Sequence, residues 1–565
     1  MTLLELKESG EAPEWLTEEG LITLQNGYLL PGETPKAAYK RVARAAALYY
    51  DNVDYWESKF FNLFWENLLG PSSPILANLG TDRGLPCSCN SIHVGDSISS
   101  IFSKVKEFAH LSSKGAGVGI YLGDVRPKGS RIGKNNGFSE GIVPWAKVFD
   151  STTLAVSQGG VRRGANAFYL PIDHGDIHEF VQIRRHTGDI NRRALNSNHA
   201  VIISDQWLED MLAGDIQKRS LWGEVLKARF ETGEPYLMFG DTVNKANPVA
   251  YQKNNLKVST SNICSEIVLY TDPDHTFVCL LSSLNLLRWD KIQASDAVET
   301  SIYFLDAVME DYIQKTAKLE GFEASHRSAV KGRAIGLGVM GWHSLLQSKM
   351  IPFDSFDAMM LNARIFSTIR ERAEKASREL AALKGEPEWC KGTGMRHTHL
   401  LAIAPTVSNS TISGGVSPSI EPWAANIFVQ KSAKGNFIRK NVFLEQLLES
   451  KGMNTPEVWS QINKDRGSVQ GLKGLSAEEK EVFLTFRELN QHVVVKQAAQ
   501  RQRWIDQAQS VNLAFPLNAD PKYIHEVHLA AWREGLKTLY YLRSEGVLRG
   551  DQAFRSADEC KACEG

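Results

Sequence analysis

The sequence predicts an α/β fold, a barrel or a sheet, set behind a layer of helices. Up to about residue 80 the apolar residues recur at helical spacing. From about residue 85, short apolar runs alternate with helical stretches, as strands joined by crossover helices require. Between about 430 and 500 that rhythm breaks into polar amphipathic segments, which read as an insertion.

In chain order, the helical layer starts at WLTEEGLITLQ, where Thr17 stands three residues before Gly20. It continues through ETPKAAYKRVARAAALYY and DYWESKFFNLFWENLL. The strand candidates are VGIYL, NAFYLP, HAVIIS, EIVLY, FVCLLSSLNL, AIGLGVM, HLLAIAP and SVNLAF, with SIYFLDAVMEDYIQKTAKL among the intervening helical stretches. KGNFIRKNVFLEQLLESKGMN and AEEKEVFLTFREL form the inserted helical subdomain. SEGVLRGDQAFRSADECKACEG is polar, rich in small residues and without periodicity, so a mobile tail is expected. The expected division is a helical domain over 1–84, a catalytic α/β domain over 85–545 with its insertion at about 430–500, and a tail over 546–565.

A chain of 565 residues has ample material for a large core. With 64 Lys and Arg against 65 Asp and Glu, no global field draws nucleic acid or an anionic membrane. Any anionic ligand must then be held by local dipoles and a few cations. The start MTLLELKESGEAPEW lacks the basic and apolar regions of a signal peptide, and no run of about 18 apolar residues occurs; a cytoplasmic protein is expected. The seven cysteines (Cys87, Cys89, Cys264, Cys279, Cys390, Cys560 and Cys563) are too scattered for a disulfide scaffold. An odd count in a reducing compartment favours redox or catalytic use.

The most informative stretch is SNICSEIVLY followed by FVCLLSSLNL. If it is locally extended, the period of two turns Asn262, Cys264 and Glu266 to one face. An amide, a thiol and a carboxylate together suit chemistry on a hydroxyl-bearing substrate: Glu266 can take a proton, Asn262 can hold an oxygen and the sulfur can react. A buried cysteine beside a strand-end glutamate is the plainer reading of the same residues.

Other motifs are less specific. GLGVMG, Gly336 to Gly341, matches the dinucleotide fingerprint but sits late in the chain and outside any clear βαβ unit with an acidic residue about 20 positions on, so glycines packing a barrel strand explain it better. GAGVGIYLGDVRPKGSRIGKNNG, SQGGVRRGANA and RRHTGDINRRA mix glycine with Arg and Lys, which suits nucleotide-binding loops as well as ordinary surface loops. APTVSNSTISGG puts small hydroxyl residues after an apolar strand, fit for a phosphate at a helix start or for a simple N-cap. Cys560 and Cys563 form a CxxC without a second ligand pair, which suits thiol–disulfide exchange better than zinc.

Together these segments resemble the large catalytic subunit of ribonucleotide reductase, in order and over nearly the whole chain. SNICSEI is similar to the family's radical-site motif. PCSCNSIHVGDS and VCLLSSLNL are similar to the segments bearing its two reducing cysteines, and KTLYY to its radical-transfer tyrosines. GLGVMG, APTVSNSTISGGVSPSIEP and RQRWIDQAQSVNL match further barrel segments.

The resemblance implies a ten-stranded α/β barrel with a central finger loop, preceded by the helical domain and lacking the family's N-terminal ATP cone. It implies reduction of ribonucleotides, ribonucleoside diphosphates in the first place, to 2′-deoxyribonucleotides. Cys264 would carry a transient thiyl radical, Glu266 would act as base and Asn262 would bind the sugar. Cys89 and Cys279 would supply the electrons and end as a disulfide; Cys89 rather than Cys87 has the family's spacing to Gly95-Asp96-Ser97. Tyr540 and Tyr541 would relay the radical, and Cys560 and Cys563 would reload the pair. Ser73, Ser88 and the backbone of Thr406, Val407, Ser408 and Asn409 would hold the substrate, Val407 standing where some members carry an acid.

Asp96 and Arg126 would bind the allosteric effector, a dNTP or ATP. The loop carrying Thr187, Gly188, Asp189, Asn191, Arg192 and Arg193 would report its identity. No metal or cofactor is expected on this chain, since a small partner subunit would supply the radical. A homodimer and thioredoxin or glutaredoxin are the other implied partners. An adenosylcobalamin-dependent reductase, a catalytically inactive nucleotide-binding homologue and, more remotely, a nicotinamide-dependent oxidoreductase remain open at this point.

Overall fold

The computed structural model describes residues 2–133, 137–156, 164–432 and 435–544, with backbone alone over 429–432 and 435–437. The chain opens with helices Leu3–Glu8, Glu18–Gln25, Pro35–Ala47 and Val53–Trp65. Their starts are written in the sequence: Thr17, Thr34 and Asn52 each cap a helix by accepting a backbone N–H, and Pro35 follows its cap at the first helical position. The layer docks on the helix Ala297–Thr316, where Trp56 stacks on Tyr303 at 4.8 Å and the Tyr50 hydroxyl donates to the Tyr303 carbonyl at 2.6 Å.

Nine strands form the main sheet: β1 (Leu69–Pro71), β2 (Cys89–His93), β3 (Gly117–Tyr121), β4 (Ala165–Pro171), β5 (Asn198–Ile203), β6 (Tyr236–Phe239), β7 (Phe277–Asn285), β8 (Ile335–Met340) and β9 (Thr538–Leu539). Strands β2 to β6 run parallel in that order. β7 is antiparallel to β1 and β2 and parallel to β8, and β9 is antiparallel to β6. Beyond β8 the ladder continues through irregular chain: Leu401 bridges Leu337, Ile403 bridges Gln509, and the Tyr540 N–H donates to the Val511 carbonyl at 2.8 Å. Among the described residues, β2 to β9 and these two irregular segments, ten in all, ring one interior. This is the curled α/β barrel that the sequence predicts.

Because both faces of the sheet are covered, the strands read as continuous apolar runs. The period of two still sorts them. On β7, Val278, Leu280 and Leu284 join the core under the helices, while Phe277, Cys279 and Leu281 join the cluster inside the barrel. On β6, Leu237 and Phe239 face outward and Tyr236 and Met238 inward. Placement of the chemistry therefore follows from strand register.

The expected strand EIVLY does not form. Residues 266–270 are irregular, and the Glu266 carbonyl is held by the Ala508 N–H at 2.9 Å rather than by a neighbouring strand. HLLAIAP makes only single bridges, and SVNLAF gives Leu513–Phe515, which pairs with Leu542–Ser544 outside the main sheet. After the hairpin Ile427–Ser432/Gly435–Lys440, the helices Val442–Ser450, Pro456–Lys464 and Ala477–Val482 pack around a core of their own, with Leu444, Leu448, Trp459 and Ile462 at its centre. The helix Gln491–Gln502 returns to the main core through Val494, Val495 and Ala498.

Candidate active site

A loop, Thr260 to Glu266, threads the barrel interior, and two glycines make room for it. A Cβ on Gly119 would lie 1.9 Å from the Ser261 carbonyl oxygen, and one on Gly117 2.4 Å from Ile263 Cδ1. Backbone this close at Gly119 tolerates only glycine, and Gly117 leaves the Ile263 side chain its room. These residues of GAGVGIYLG thus serve loop packing, which corrects their reading as part of a nucleotide loop. The loop is not extended: Ile263 and Cys264 form a turn and Ser265 has φ +65°. Asn262 and Glu266 do meet, but the turn brings them together rather than a strand's alternation. Asn262 Nδ2 donates to Glu266 Oε1 at 2.9 Å, and Asn262 Oδ1 accepts from the Ile267 N–H at 3.1 Å.

Around this loop the three barrel cysteines converge. Cys89 lies directly opposite Cys279 in the β2–β7 register, and opposed antiparallel residues have Cα atoms about 4.5–5.5 Å apart, within the disulfide range. Cys89 Sγ accepts from Asn262 Nδ2 at 3.1 Å and lies 3.9 Å from Glu266 Oε1. The Ser510 hydroxyl bridges the Cys264 carbonyl at 2.6 Å and Glu266 Oε2 at 3.0 Å, and the Tyr169 hydroxyl donates to the Asn262 carbonyl at 2.6 Å. Burial pushes Glu266 up to about 7, against the pull of its hydrogen bonds from Ser510 and Asn262. Burial, with nearby Glu266, also raises the thiols of Cys89 and Cys279 well above the ordinary range.

Tyr540 and Tyr541 follow β9 and stand in ring contact, centroids 4.3 Å apart. A third phenol, Tyr236 at the start of β6, lies 4.7 Å from Tyr540 and 5.0 Å from Tyr541. The sequence reading missed it, because only the β6–β9 pairing brings residues 300 apart together. Burial first, then neighbouring Cys264, hold the Tyr540 phenol well above its usual range. Behind Tyr541, Glu234 accepts from the His199 backbone N–H at 3.0 Å and pairs with Arg184 at 3.8 Å. Burial raises the Glu234 carboxyl, but Arg184 and His199 outweigh it and hold it below the ordinary range.

The residues expected to hold substrate form a wall on one side. Thr406 precedes the helix Val407–Ile412; its hydroxyl meets Ser410 Oγ at 2.9 Å and accepts from the Ser419 N–H at 2.7 Å. Ser408 and Asn409 are buried and Val407 is exposed. Asn67 Nδ2 donates to the Ser413 carbonyl at 3.0 Å, which sets the segment bearing Ser73 against this helix. Ser73 meets the Tyr28 hydroxyl at 2.8 Å, and Ser88 Oγ lies 3.4 Å from Ser72 Oγ. In GLGVMG, a Cβ on Gly338 would lie 2.5 Å from the Ala402 carbonyl oxygen, so that glycine admits the next barrel segment.

The expected effector residues gather elsewhere. Asp96 and Arg126 form an ion pair at 2.7 Å, with the Arg126 N–H donating to Asp96 Oδ1 at 3.1 Å. Asp189 caps the short turn Ile190–Arg192, Gly188 has φ +91°, and Arg193 Nε donates to the Thr187 carbonyl at 3.0 Å. Arg192 pairs with Glu179 at 2.6 Å and lies 3.8 Å from Glu140, itself 4.0 Å from Lys128, which links this loop to the Arg126 segment. Cys560, Cys563, residues 134–136 and 157–163 of the glycine-rich runs lie outside the described residues. Among the described residues, no helix is long and apolar enough to cross a membrane.

A curled barrel with a threaded loop and facing thiols defines a class, and the comparisons agree with it. Residues 14–84 match the all-alpha domain of ribonucleotide reductase, and residues 87–217, 209–393 and 387–542 match its barrel domain. The chain is 33% identical to the ribonucleoside-diphosphate reductase large subunit of Invertebrate iridescent virus 3, over 97% of this chain and 98% of that one. It is 30% identical to the large subunit of Caenorhabditis elegans, over 94% and 76%. The solved class Id ribonucleotide reductase alpha subunit of Actinobacillus ureae superposes with TM-score 0.87 at 42% identity, covering 95% of this chain and 99% of that one. The chain belongs to the ribonucleotide reductase large-subunit family.

Proposed function

We propose that this chain is the catalytic subunit of a class I ribonucleotide reductase that converts ribonucleoside diphosphates to 2′-deoxyribonucleotides. The carrying observation is the register that sets Cys89 opposite Cys279, with Glu266 at 3.9 Å from Cys89 Sγ on the loop that also bears Cys264.

The radical centre of a small partner subunit supplies the oxidising equivalent. Tyr541 and Tyr540 pass it to Cys264, whose sulfur removes the ribose 3′ hydrogen. Glu266 takes the 3′-hydroxyl proton, a role suited to a carboxyl near 7, and Asn262 orients the sugar. The C2′–O bond then breaks, the hydroxyl leaves as water, and Cys89 and Cys279 give two electrons and two hydrogens as their disulfide forms. Cys560 and Cys563 reduce that disulfide in turn and are reloaded by thioredoxin or glutaredoxin.

Ser73, Ser88 and the backbone of Thr406, Val407, Ser408 and Asn409 bind the substrate. A dNTP or ATP effector binds at Asp96 and Arg126 of a homodimer, and the loop from Thr187 to Arg193 reads it. The test is nucleotide reduction by the purified chain with and without a candidate small subunit. Deoxynucleotide formed only when both are present supports the reading; activity of the chain alone with adenosylcobalamin overturns it.

A further inference from the structure

The two facing thiols have different surroundings. Cys89 has a carboxyl oxygen, Glu266 Oε1, 3.9 Å from its sulfur. The partner of Cys279 is a neutral amide: Gln507 Nε2 lies 3.3 Å from its sulfur, while its S–H faces the Leu280 carbonyl at 4.0 Å. Gln507 is wholly buried, and the same Nε2 donates to the Ile335 carbonyl at 3.0 Å.

That second bond fixes which way the amide points. Turned over, Oε1 would face the Ile335 carbonyl oxygen, two acceptors with no hydrogen between them. Gln507 must therefore present N–H, not C=O, to the sulfur. The residue is itself pinned: its N–H donates to the Leu401 carbonyl at 3.1 Å, and its carbonyl accepts from Gln502 Nε2 at 2.9 Å. On the other side, a Cβ on Gly336 would come within 3.3 Å of Cys279 Sγ, so the glycine leaves the sulfur its place.

We propose that Gln507 is a positioning residue of the reduction step: its N–H holds the Cys279 sulfur as an acceptor and stabilises the thiolate character the sulfur gains as its proton leaves, before it bonds to Cys89. This rests on the dithiol reading above. In that step one S–S bond forms and the ribose C2′–O bond breaks. Two electrons pass from sulfur to sugar, one thiol hydrogen leaves in water and the other ends on C2′. Glu266 faces the Cys89 thiol; Gln507 serves the Cys279 electron pair, because a thiolate is the reactive form of sulfur and an N–H donor favours it. Burial raises the Cys279 thiol, and Gln507 works against that rise.

The test is Gln507→Met, which keeps the length and removes the donor, read beside Cys279→Ser with the full chain and its partner subunit. Gln507→Met lowers kcat about tenfold, as loss of a hydrogen bond to a charged group implies. KM, effector binding and thermal midpoint stay near wild type, the rise of kcat with pH moves to higher pH, and thiols are lost more slowly in a single turnover. Wild-type kcat and pH profile overturn the proposal. So does a raised KM and lowered midpoint with an unmoved pH profile, the signature of a packing role. If Gln507→Met fails to fold, Gln507→Leu, which also lacks the donor, carries the test: a comparable loss with the same shift of the pH profile supports the proposal and full rate overturns it. A normal deoxynucleotide yield from Cys279→Ser removes the dithiol reading itself, whereas an inactive Cys279→Ser beside a normal Gln507→Met removes only the role of Gln507.

Discussion

The thiol cluster and the phenol cluster share Cys264 but differ in what surrounds their reactive atoms. Cys89, Cys279 and Glu266 each meet a side-chain N–H or O–H: Asn262 at 3.1 Å, Gln507 at 3.3 Å and Ser510 at 3.0 Å. The phenols meet mostly one another. Their rings touch at 4.3–5.0 Å, and the Tyr236 hydroxyl faces Tyr541 and the Tyr540 hydroxyl faces Cys264. Polar networks suit steps in which a heavy-atom bond breaks and a proton needs an address. Rings in contact in an apolar pocket suit a step in which an electron and its proton pass between neighbours and no heavy-atom bond breaks. In the proposed scheme Cys264, at the turn between them, is where one kind of step becomes the other.

The largest expected effect falls at that junction. Cys264→Ser removes turnover altogether while leaving nucleotide binding near wild type, because a hydroxyl replaces the thiol at almost the same volume. Measurable multiple turnover by this variant would sink the scheme. Nearly as large is Tyr540→Phe. The phenyl ring keeps the packing but has no O–H to oxidise, so activity drops to background while substrate, effector and partner subunit still bind; equilibrium binding and steady-state assays on one preparation check both halves.

Glu266→Gln probes the polar side. General-base assistance is worth about 10²–10⁴-fold, so turnover falls by at least about a hundredfold, and the rise of wild-type kcat/KM through pH 7 disappears with it. Stability moves the other way. The folded Glu266 holds its proton to about 7 against a usual value of 4.5, so the native state binds more protons than the unfolded chain between these values. Stability therefore falls as pH climbs through that window and levels off above it, by at most about 3 kcal/mol. The variant should show a higher thermal midpoint than wild type at pH 8 and none of that advantage at pH 4. An equal gain at both would mean that Glu266 is not held protonated by burial.

Much of this was legible in the chain, for identifiable reasons. Strands β3 to β5, β7 and β8 announced themselves because a sheet covered on both faces needs continuous apolar runs, and the helix cap Thr17 because only a few side chains can serve there. The pairing of Asn262 with Glu266 was read correctly from the wrong geometry: residues four apart meet across a tight turn as readily as on one strand face. Gly117 and Gly119 were misread because glycine shows that something approaches the backbone without showing what. Ser510, Gln507 and Tyr236 were invisible, since each reaches the site through pairings or bridges hundreds of residues long in sequence, two of them on irregular segments that carry no periodicity.

The smallest effect expected is at Tyr236, and it sharpens the comparison most. Its ring touches both Tyr540 and Tyr541 and is fully buried on β6, so it can matter either as a wall or as a third redox-active phenol. If contact between rings is what the apolar cluster is built for, Tyr236→Phe keeps the wall and costs no more than a fewfold in kcat. Tyr236→Leu instead opens space beside both phenols and lowers kcat by roughly tenfold or more, since displacing reacting groups by even 1 Å is expensive. Nucleotide affinity should be unmoved in both, because the proposed substrate wall at Thr406 to Asn409 is built from other segments. Steady-state kcat and KM for the pair of variants decide the matter. A Phe variant as inactive as Tyr540→Phe would make the Tyr236 hydroxyl part of the transfer itself, and the contrast between a hydrogen-bonded thiol side and a ring-packed phenol side would no longer hold.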